Sequence, residues 1–579
     1  MDKNTMVEKY NKYANYETKR WQDLAEHNVK SWADVWEKSV DRWSECQIVH
    51  QVGCISPWTY QELDRAADKI AEWAISLNQK YIGVNQNNSA IFLATVLGLA
   101  KAGVVAVLFN IRESEQKLST LAVNSGVKIT IGQPIPSIKT YNPNLILESL
   151  WSGRTSAEHR RQVTLDDPAV IIFTSGTSGR SKPALFSHRR MIGAGIAWSL
   201  RTGMSSDSKC YITLPLYHGN GLAVAFSSCV EAGACAVVRD RFSVRAFLSD
   251  VRTYNCDSVV YIGELWRYLS QSPQLLDDSK NPVRVIFGNG LTFPLWDMVL
   301  ERFGIERVVE HYGATEMPAS ALTNWTGRPG YCGFIPPGHP DTDNVVLVDE
   351  KFKVVAPGEV GEALLRVPGN IYRGYLDPQL DENKLWRNLF ESGDLWWRSG
   401  DLLSRDTEGF FMFVDRMGDS FRWKGENVSC VEVEEAILST GKVREAVVYG
   451  VSILGESGKV GMASILPIEC LEEGQTLNDF LYQLQELLPS YGVPHIIRLV
   501  EQHHETTSTM KIIKANLQIE GFKQIEKYPH FILCQGRYVR LTRDLLSALE
   551  LEKLTLGFMI YFCLLVSIWV INPNTNIIM

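Results

Sequence analysis

The chain has 579 residues, more than one hydrophobic core of ordinary size accommodates, so two or more domains are expected. With 45% hydrophobic and 21% charged residues it is a folded globular protein rather than a disordered chain. A net charge of −8 gives no support to nucleic-acid binding, and 11 scattered Cys without a CxxC pair read as reduced thiols facing the cytosol.

The opening stretch, MDKNTMVEKYNKYANYETKRW, is polar and lacks the apolar core of a signal peptide. From about Trp32 to Val163 helices and strands are predicted to alternate. SWADVWEKSVDRW has helical apolar spacing, and TYQELDRAADKIAEWAISL is an amphipathic helix capped by Thr59. SAIFLATVLGLAKAGVVAVLF is apolar enough to suggest a membrane span. Lys101 and Gly103 interrupt it, and its β-branched end reads as a buried helix, turn and parallel strand. PAVIIFTSG is a strand entering a Gly loop, and MIGAGIAWSL is a helix. CYITLPLYH, GACAVVRD, CDSVVYIGEL and VRVIFGNGL are short strands that end in polar or Gly residues. The fold class predicted is α/β, with mostly parallel sheets and ligands gathered at the carboxyl ends of strands. After Gly330 the pattern becomes short strands and turns, a β-rich subdomain. GDSFRWKGENVSCVEVEEAILS opens a smaller α+β unit.

The tail differs from the rest. LTLGFMIYFCLLVSIWVI, residues 554–571, is an uncharged run of bilayer-spanning length. It reads either as a tail anchor or as a terminus that is not the natural one.

The loop Thr174–Lys182 follows a buried strand. Its hydroxyls and backbone N–H groups suit phosphate oxygens, its glycines permit close approach, and Lys182 adds a point charge. The spacing is not that of the common GxxxxGK[ST] phosphate loop. With the motifs that follow it in order, the chain resembles the adenylate-forming superfamily of acyl-CoA synthetases, adenylation domains and luciferases. FTSGTSGRSKPAL is similar to its phosphate loop and HYGATE to its adenine and magnesium motif. WWRSGDLLSRDTEGFFMFVDRMGD is similar to its ribose motif and hinge, and FRWKGENVSCVEVE to the start of its mobile C-terminal domain. The resemblance runs from about Trp32 to Phe522. YIGELWRYL, FGNGL and DSFRWKGENVSCVEVE are closest in wording to the fatty acid transport protein and very-long-chain acyl-CoA synthetase family.

The resemblance implies an N-terminal ATP- and acyl-binding domain over 1–417, a mobile C-terminal domain over 418–530 and a tail over 531–579. It implies that Thr174, Ser175, Gly176, Thr177, Ser178, Gly179 and Lys182 hold the triphosphate of ATP, with Thr315 on a phosphate oxygen and Glu316 on Mg²⁺. Adenine would meet Tyr312 and the turn Gly288, Asn289 and Gly290. Ribose would meet Asp401, and Arg416 would touch ribose or phosphate. Gly418 would be the hinge, and Lys424 and Gly425 would approach the CoA arm. Lys511, with Lys514 as the alternative, would stabilise charge on the reacting carboxylate and α-phosphate, and His218 would lie beside the acyl carboxylate. SerThrMet before Lys511 departs from the superfamily's usual glycine.

The implied activity is an ATP-dependent, AMP-forming ligase joining a long or very long fatty acid, or another hydrophobic carboxylic acid, to CoA. Two alternatives remain open: an acyl-AMP ligase loading a specialised acid onto CoA or a carrier protein, and a fatty acid uptake protein. The expected location is a membrane facing the cytosol, at the endoplasmic reticulum or peroxisome, or the cytoplasm if the tail is no anchor. No Ser-Lys-Leu ending and no N-terminal membrane segment are seen.

Overall fold

A computed structural model describes residues 2–148, 160–175, 181–318, 322–370, 372–417, 421–423, 426–453, 459–469, 471, 474–506, 512–534 and 536–550. The chain divides into two compact units: 1–399 with 404–413, and 400–403 with 414–579.

The first unit is built on three sheets. One has eight strands. Starting from Leu322–Asn324, its order is Arg307–Tyr312, Val285–Asn289, Ser258–Ile262, Lys209–Ile212, Cys235–Val238, Gln47–Gln51 and Trp58–Thr59. The interior pairs run parallel and the two outermost pairs antiparallel. Parallel strands need crossovers, which helices such as Val244–Thr253, Gly263–Ser270 and Phe293–Phe303 provide. The second sheet has six strands in the order Lys139–Tyr141, Ile129–Gly132, Tyr81–Asn85, Val105–Leu108, Pro168–Ser175 and Ser181–Ser187. The third is the β-rich sheet expected after Gly330, with Gly333–Phe334, Phe410–Arg416, Leu395–Arg405, Val360–Arg366 and Val345–Val348 in that order; residues 400–403 and 414–416 of its strands count with the second unit.

Local chemistry explains the element boundaries. Thr59 accepts from the Glu62 N–H while the Glu62 carboxylate accepts from the Thr59 N–H, a capping box that starts the helix Tyr60–Leu77. The apolar stretch after Ser89 forms the helix Ala90–Lys101 and the strand Val105–Leu108, both buried in the core of this unit. Lys101 is buried too, and its ammonium meets Asp64, at 2.7 Å, and Asp68. A 24-residue helix, Lys3–Glu26, precedes the alternating pattern and was not legible as one. Tyr10 and Tyr13 dock it edge-on against Phe334 and Trp325, at ring separations of 6.1 and 5.1 Å.

The second unit carries a five-stranded sheet: Val443–Val451, Val460–Pro467, Ile496–Leu499, His530–Cys534 and Arg537–Arg540. The helices Cys430–Ser439 and Gln475–Leu487 bury their apolar faces in its core through Val433, Ile437, Phe480 and Leu484. No helix among the described residues is long and apolar enough to cross a membrane. The run 554–571 lies outside the described residues.

Candidate active site

The phosphate-type segment is flanked by two paired strands. Pro168–Ser175 pairs antiparallel with Ser181–Ser187, placing Thr174 opposite Lys182 and Ser175 opposite Ser181. Directly opposed residues share a face, so Thr174 and Lys182 emerge on one side of this strand pair. Thr174 Oγ1 donates to the Lys182 carbonyl at 3.4 Å. Gly176, Thr177, Ser178 and Gly179 lie outside the described residues.

Tyr312 ends the strand Arg307–Tyr312, and the chain runs through Gly313 and Ala314 into a turn at Thr315 and Glu316. A buried guanidinium holds that turn: Arg190 donates to the carbonyl of Thr315 and, at 3.2 Å, to that of Ala314. Burial lowers the Arg190 pKa to about 10, still charged at neutral pH. Two tyrosines hold Glu316. Tyr372 donates to its carbonyl at 2.7 Å and Tyr375 to its Oε1 at 2.8 Å.

The segment bearing these tyrosines is fastened in turn. Asp381 accepts from the Tyr375 N–H at 2.8 Å and the Gly374 N–H at 3.2 Å. Leu185 N–H donates to Gly374 O at 2.8 Å, and Leu376 N–H to Pro183 O at 2.9 Å, so the segment pairs with the strand Ser181–Ser187, which carries Lys182. The Lys182 ammonium lies 5.9 Å from the centre of the Tyr375 ring.

Gly288 and Asn289 end the neighbouring strand Val285–Asn289, and Gly290 follows it. A Cβ at Gly288 would fall 2.0 Å from the Tyr261 carbonyl, so only glycine fits there. Gly290 has φ +84°, the left-handed region. Glu310, 4% exposed, accepts from Tyr261 Oη, from the Gly290 N–H and, at 3.2 Å, from the Leu291 N–H. Asn289 Oδ1 accepts from Asn220 Nδ2 at 2.7 Å, which links this segment to the His218 loop. Burial depresses the His218 pKa to about 4, so its imidazole is neutral at physiological pH. After His218 the chain forms a π-helix, Asn220–Phe226.

In the second unit Asp401 and Arg416 face each other, Oδ1 to Nε 3.4 Å. Lys514 pairs with Glu434 at 2.8 Å. Gly418, Lys424, Gly425 and Lys511 lie outside the described residues. The structure therefore gathers Thr174, Lys182, Thr315 and Glu316 through one scaffold, and His218 with Asn289 through Asn220. Sequence reading missed Arg190, Tyr372, Tyr375 and Asp381. Their one sequence signal is a cluster of aromatic and charged residues in SHRRM and YRGYLDPQLD, which points to no partner by itself.

The architecture is that of adenylate-forming enzymes. ATP-bound MatB from Rhodopseudomonas palustris superposes with a TM-score of 0.73 at 20% identity, covering 86% of this chain and 99% of that one. The o-succinylbenzoate CoA synthetase of Bacillus subtilis, solved with an acyl-adenylate intermediate, gives a TM-score of 0.71 at 22% identity, covering 84% and 98%. The AMP-binding enzyme family model matches residues 36–376. Human long-chain fatty acid transport protein 5 is 35% identical over 469 residues, 74% of this chain and 67% of its own length. Human long-chain fatty acid transport protein 6 is 31% identical over 553 residues, 86% and 87% respectively. The chain belongs to the AMP-binding enzyme family, in the branch of the long-chain fatty acid transport proteins.

Proposed function

We propose that this protein is an ATP-dependent, AMP-forming fatty acyl-CoA ligase. A carboxylate is a poor acyl donor. Its oxygen attacks the α-phosphorus of ATP, pyrophosphate leaves, and the mixed anhydride then carries AMP as a good leaving group. The CoA thiol attacks the activated carbonyl, a thioester forms, and AMP departs.

The carrying observation is the single scaffold that joins Lys182 and Thr174 to Thr315 and Glu316. In this reading Thr174 to Gly179 and Lys182 hold the triphosphate, and Thr315 contacts a phosphate oxygen. Glu316 suits Mg²⁺, a hard cation that takes one or two carboxylates and shares phosphate oxygens. Tyr375 donates to Oε1 and orients the carboxylate, which would hold the ion. When bound, Mg²⁺ neutralises charge on the departing pyrophosphate. Tyr312 and residues 288–290 accept adenine, Asp401 and Arg416 the ribose, and neutral His218 lies beside the acyl carboxylate. The charge of Lys514 is already met by Glu434, which favours Lys511 as the cation of the adenylation step. A rotation of residues 418–530 about Gly418 would bring Lys424 and Gly425 to the CoA arm. The substrate is read as a long aliphatic acid because YHGNGLAVAFSS and YIGELWRYL are apolar or aromatic with few charges.

Acid-dependent pyrophosphate release, screened over fatty acids of increasing length with and without CoA, tests this. Release tracking one chain-length class with an acyl-CoA product is expected. Release without acyl-CoA would redirect the reading to a carrier-protein thiol, and no release with any acid would overturn it. Uptake, which the relatives' names suggest, then follows from trapping as the charged thioester. An inactive Glu316→Gln variant that still promoted uptake would contradict that. Residues 554–571 are read as a membrane tether, and their deletion should release the protein from membranes without loss of ligase activity.

A further inference from the structure

Two opposite charges share the triphosphate site, and the structure keeps them apart. Lys182 and Glu316 form no ion pair with each other or with another group among the described residues, although the Arg190 guanidinium interacts electrostatically with Glu316. One side chain reaches both. Tyr375, 4% exposed, presents its ring to the Lys182 ammonium and its hydroxyl to Glu316 Oε1. The ring cannot easily withdraw. Asp381 grips the Tyr375 and Gly374 amides, and the backbone bonds at Leu185 and Leu376 lock the segment in register with the strand that carries Lys182. A Cβ at Gly374 would lie 1.8 Å from the Tyr372 hydroxyl, so a side chain there would have to displace Tyr372. Arg190 and Tyr372 fix the backbone carbonyls of residues 314–316 from the other side.

We propose that Tyr375 is a positioning residue that insulates the lysine of the triphosphate site from its metal-binding carboxylate while holding both in register. This rests on reading Lys182 as a phosphate contact and Glu316 as the Mg²⁺ ligand. A direct Lys182–Glu316 salt bridge would have to be broken whenever Mg·ATP entered, and that cost would appear in both metal and nucleotide affinity. A π face attracts an ammonium without neutralising it. A phenolic hydroxyl orients a carboxylate while leaving its charge available to a cation. The two contacts are therefore separable by substitution.

The test uses the full-length protein with Mn²⁺ as probe and a non-hydrolysable ATP analogue. Mn²⁺ binding is read by EPR and analogue affinity by calorimetry at saturating Mn²⁺. Tyr375→Phe keeps the ring and loses the hydroxyl. Mn²⁺ binding should weaken about tenfold, as expected for one hydrogen bond to a charged group. Analogue affinity should stay within about twofold at saturating metal, since an energy below about 0.4 kcal/mol is involved. Tyr375→Leu removes both contacts, so metal and nucleotide should both weaken, and added salt should partly restore them by screening the new Lys182–Glu316 pair. Thermal unfolding of each variant separates misfolding from these effects, and Tyr375→Phe carries the test if Tyr375→Leu does not fold. The proposal is overturned if Tyr375→Phe leaves Mn²⁺ binding within twofold, or weakens metal and nucleotide equally. Glu316→Gln discriminates the underlying reading. If that variant binds Mn²⁺ as tightly as the parent, Glu316 is not the ligand. If it weakens while Tyr375→Phe does not, only the role of Tyr375 falls.

Discussion

Two buried glutamates, one in each unit, are driven in opposite directions. Glu310 sits behind residues 288–290, and its pKa is pushed up to about 8. Burial is the dominant cause, and the donors from Tyr261, Leu291 and Gly290 oppose it without prevailing. Glu445 in the strand Val443–Val451 is held down to about 2. Burial would raise it, but His504 and then His503 outweigh burial. His503 Nδ1 lies 2.5 Å from Oε1, and His504 offers Oε2 both Nδ1 and its N–H at 3.0 Å. An ionised carboxylate only accepts, so both facing ring nitrogens carry protons. Burial alone therefore does not decide ionisation. Each carboxylate meets three donors, and its charge state follows the balance between burial and those donors, which burial wins at Glu310 and the histidines win at Glu445. The first unit keeps a neutral acid as a prop beneath a candidate nucleotide contact, and the second keeps an anion as a staple.

The staple should be the more costly to break. Glu445→Ala leaves two imidazoles and a backbone amide without their acceptor. It should destabilise the second unit by about 2 kcal/mol, because His504 is buried whereas the His503 side chain is 62% exposed and can turn to water. Hydrogen exchange across Val443–Val451 measures it, and an unchanged rate would remove the cluster from the core's stability.

The pH dependence should split with opposite signs. Glu445 is depressed, so its contribution is complete above its unfolded pKa of 4.5 and is lost as pH falls toward about 2. Glu310 is raised, so its native proton stabilises below 4.5 and that stability is lost as pH rises through about 8. Each slope approaches about 1.4 kcal/mol per pH unit inside its window. Glu445→Gln should flatten only the acid limb, read at the amides of 443–451. Glu310→Gln should flatten only the alkaline limb, read at the amides of Gly290 and Leu291. Both limbs surviving in both variants would assign the slopes to other groups.

Smaller effects sharpen the contrast. Tyr261→Phe removes one donor from Glu310, should cost about 1 kcal/mol, and should move the alkaline limb to higher pH. At His504, Asn can reproduce the Nδ1 donor to Glu445, whereas Gln reaches only the Nε2 position, 2.9 Å from Ser464 Oγ in the parent. His504→Asn should keep most of the stability that His504→Gln loses, by about 1 kcal/mol. Equal losses would mean that the Ser464 contact matters as much as the staple.

The parts of the molecule legible in the sequence were those that depend on neighbours along the chain. Thr59 and Glu62 announce a helix start three residues apart, and Lys101 with Gly103 breaks an apolar run where the helix ends. The glycine- and hydroxyl-rich loop and HYGATE were readable for the same reason. What stayed hidden depends on distance. Tyr375 meets Glu316 across 59 positions and Arg190 meets Thr315 across 125, and nothing local in YRGY or SHRRM names those partners. The Lys3–Glu26 helix was missed because Met6, Tyr13 and Leu24 are its buried residues, too few for a clear apolar stripe, and its partners lie far along the chain, such as Asp341, whose Oδ2 accepts from Tyr10 at 2.7 Å.

The π-helix Asn220–Phe226 gives the wall after His218 an unusual kind of adjustability. A π turn holds about one residue more than an α turn, so it is a question of count rather than of side-chain identity. Removing one residue between Asn220 and Ser227 would let the segment relax into an α-helix. Residues beyond the deletion would turn by about 100° relative to those before it. Leu222, Val224 and Phe226 would then present a different face with no change in composition. At that point the length of the sequence, as much as its letters, sets which side chains share a face after His218.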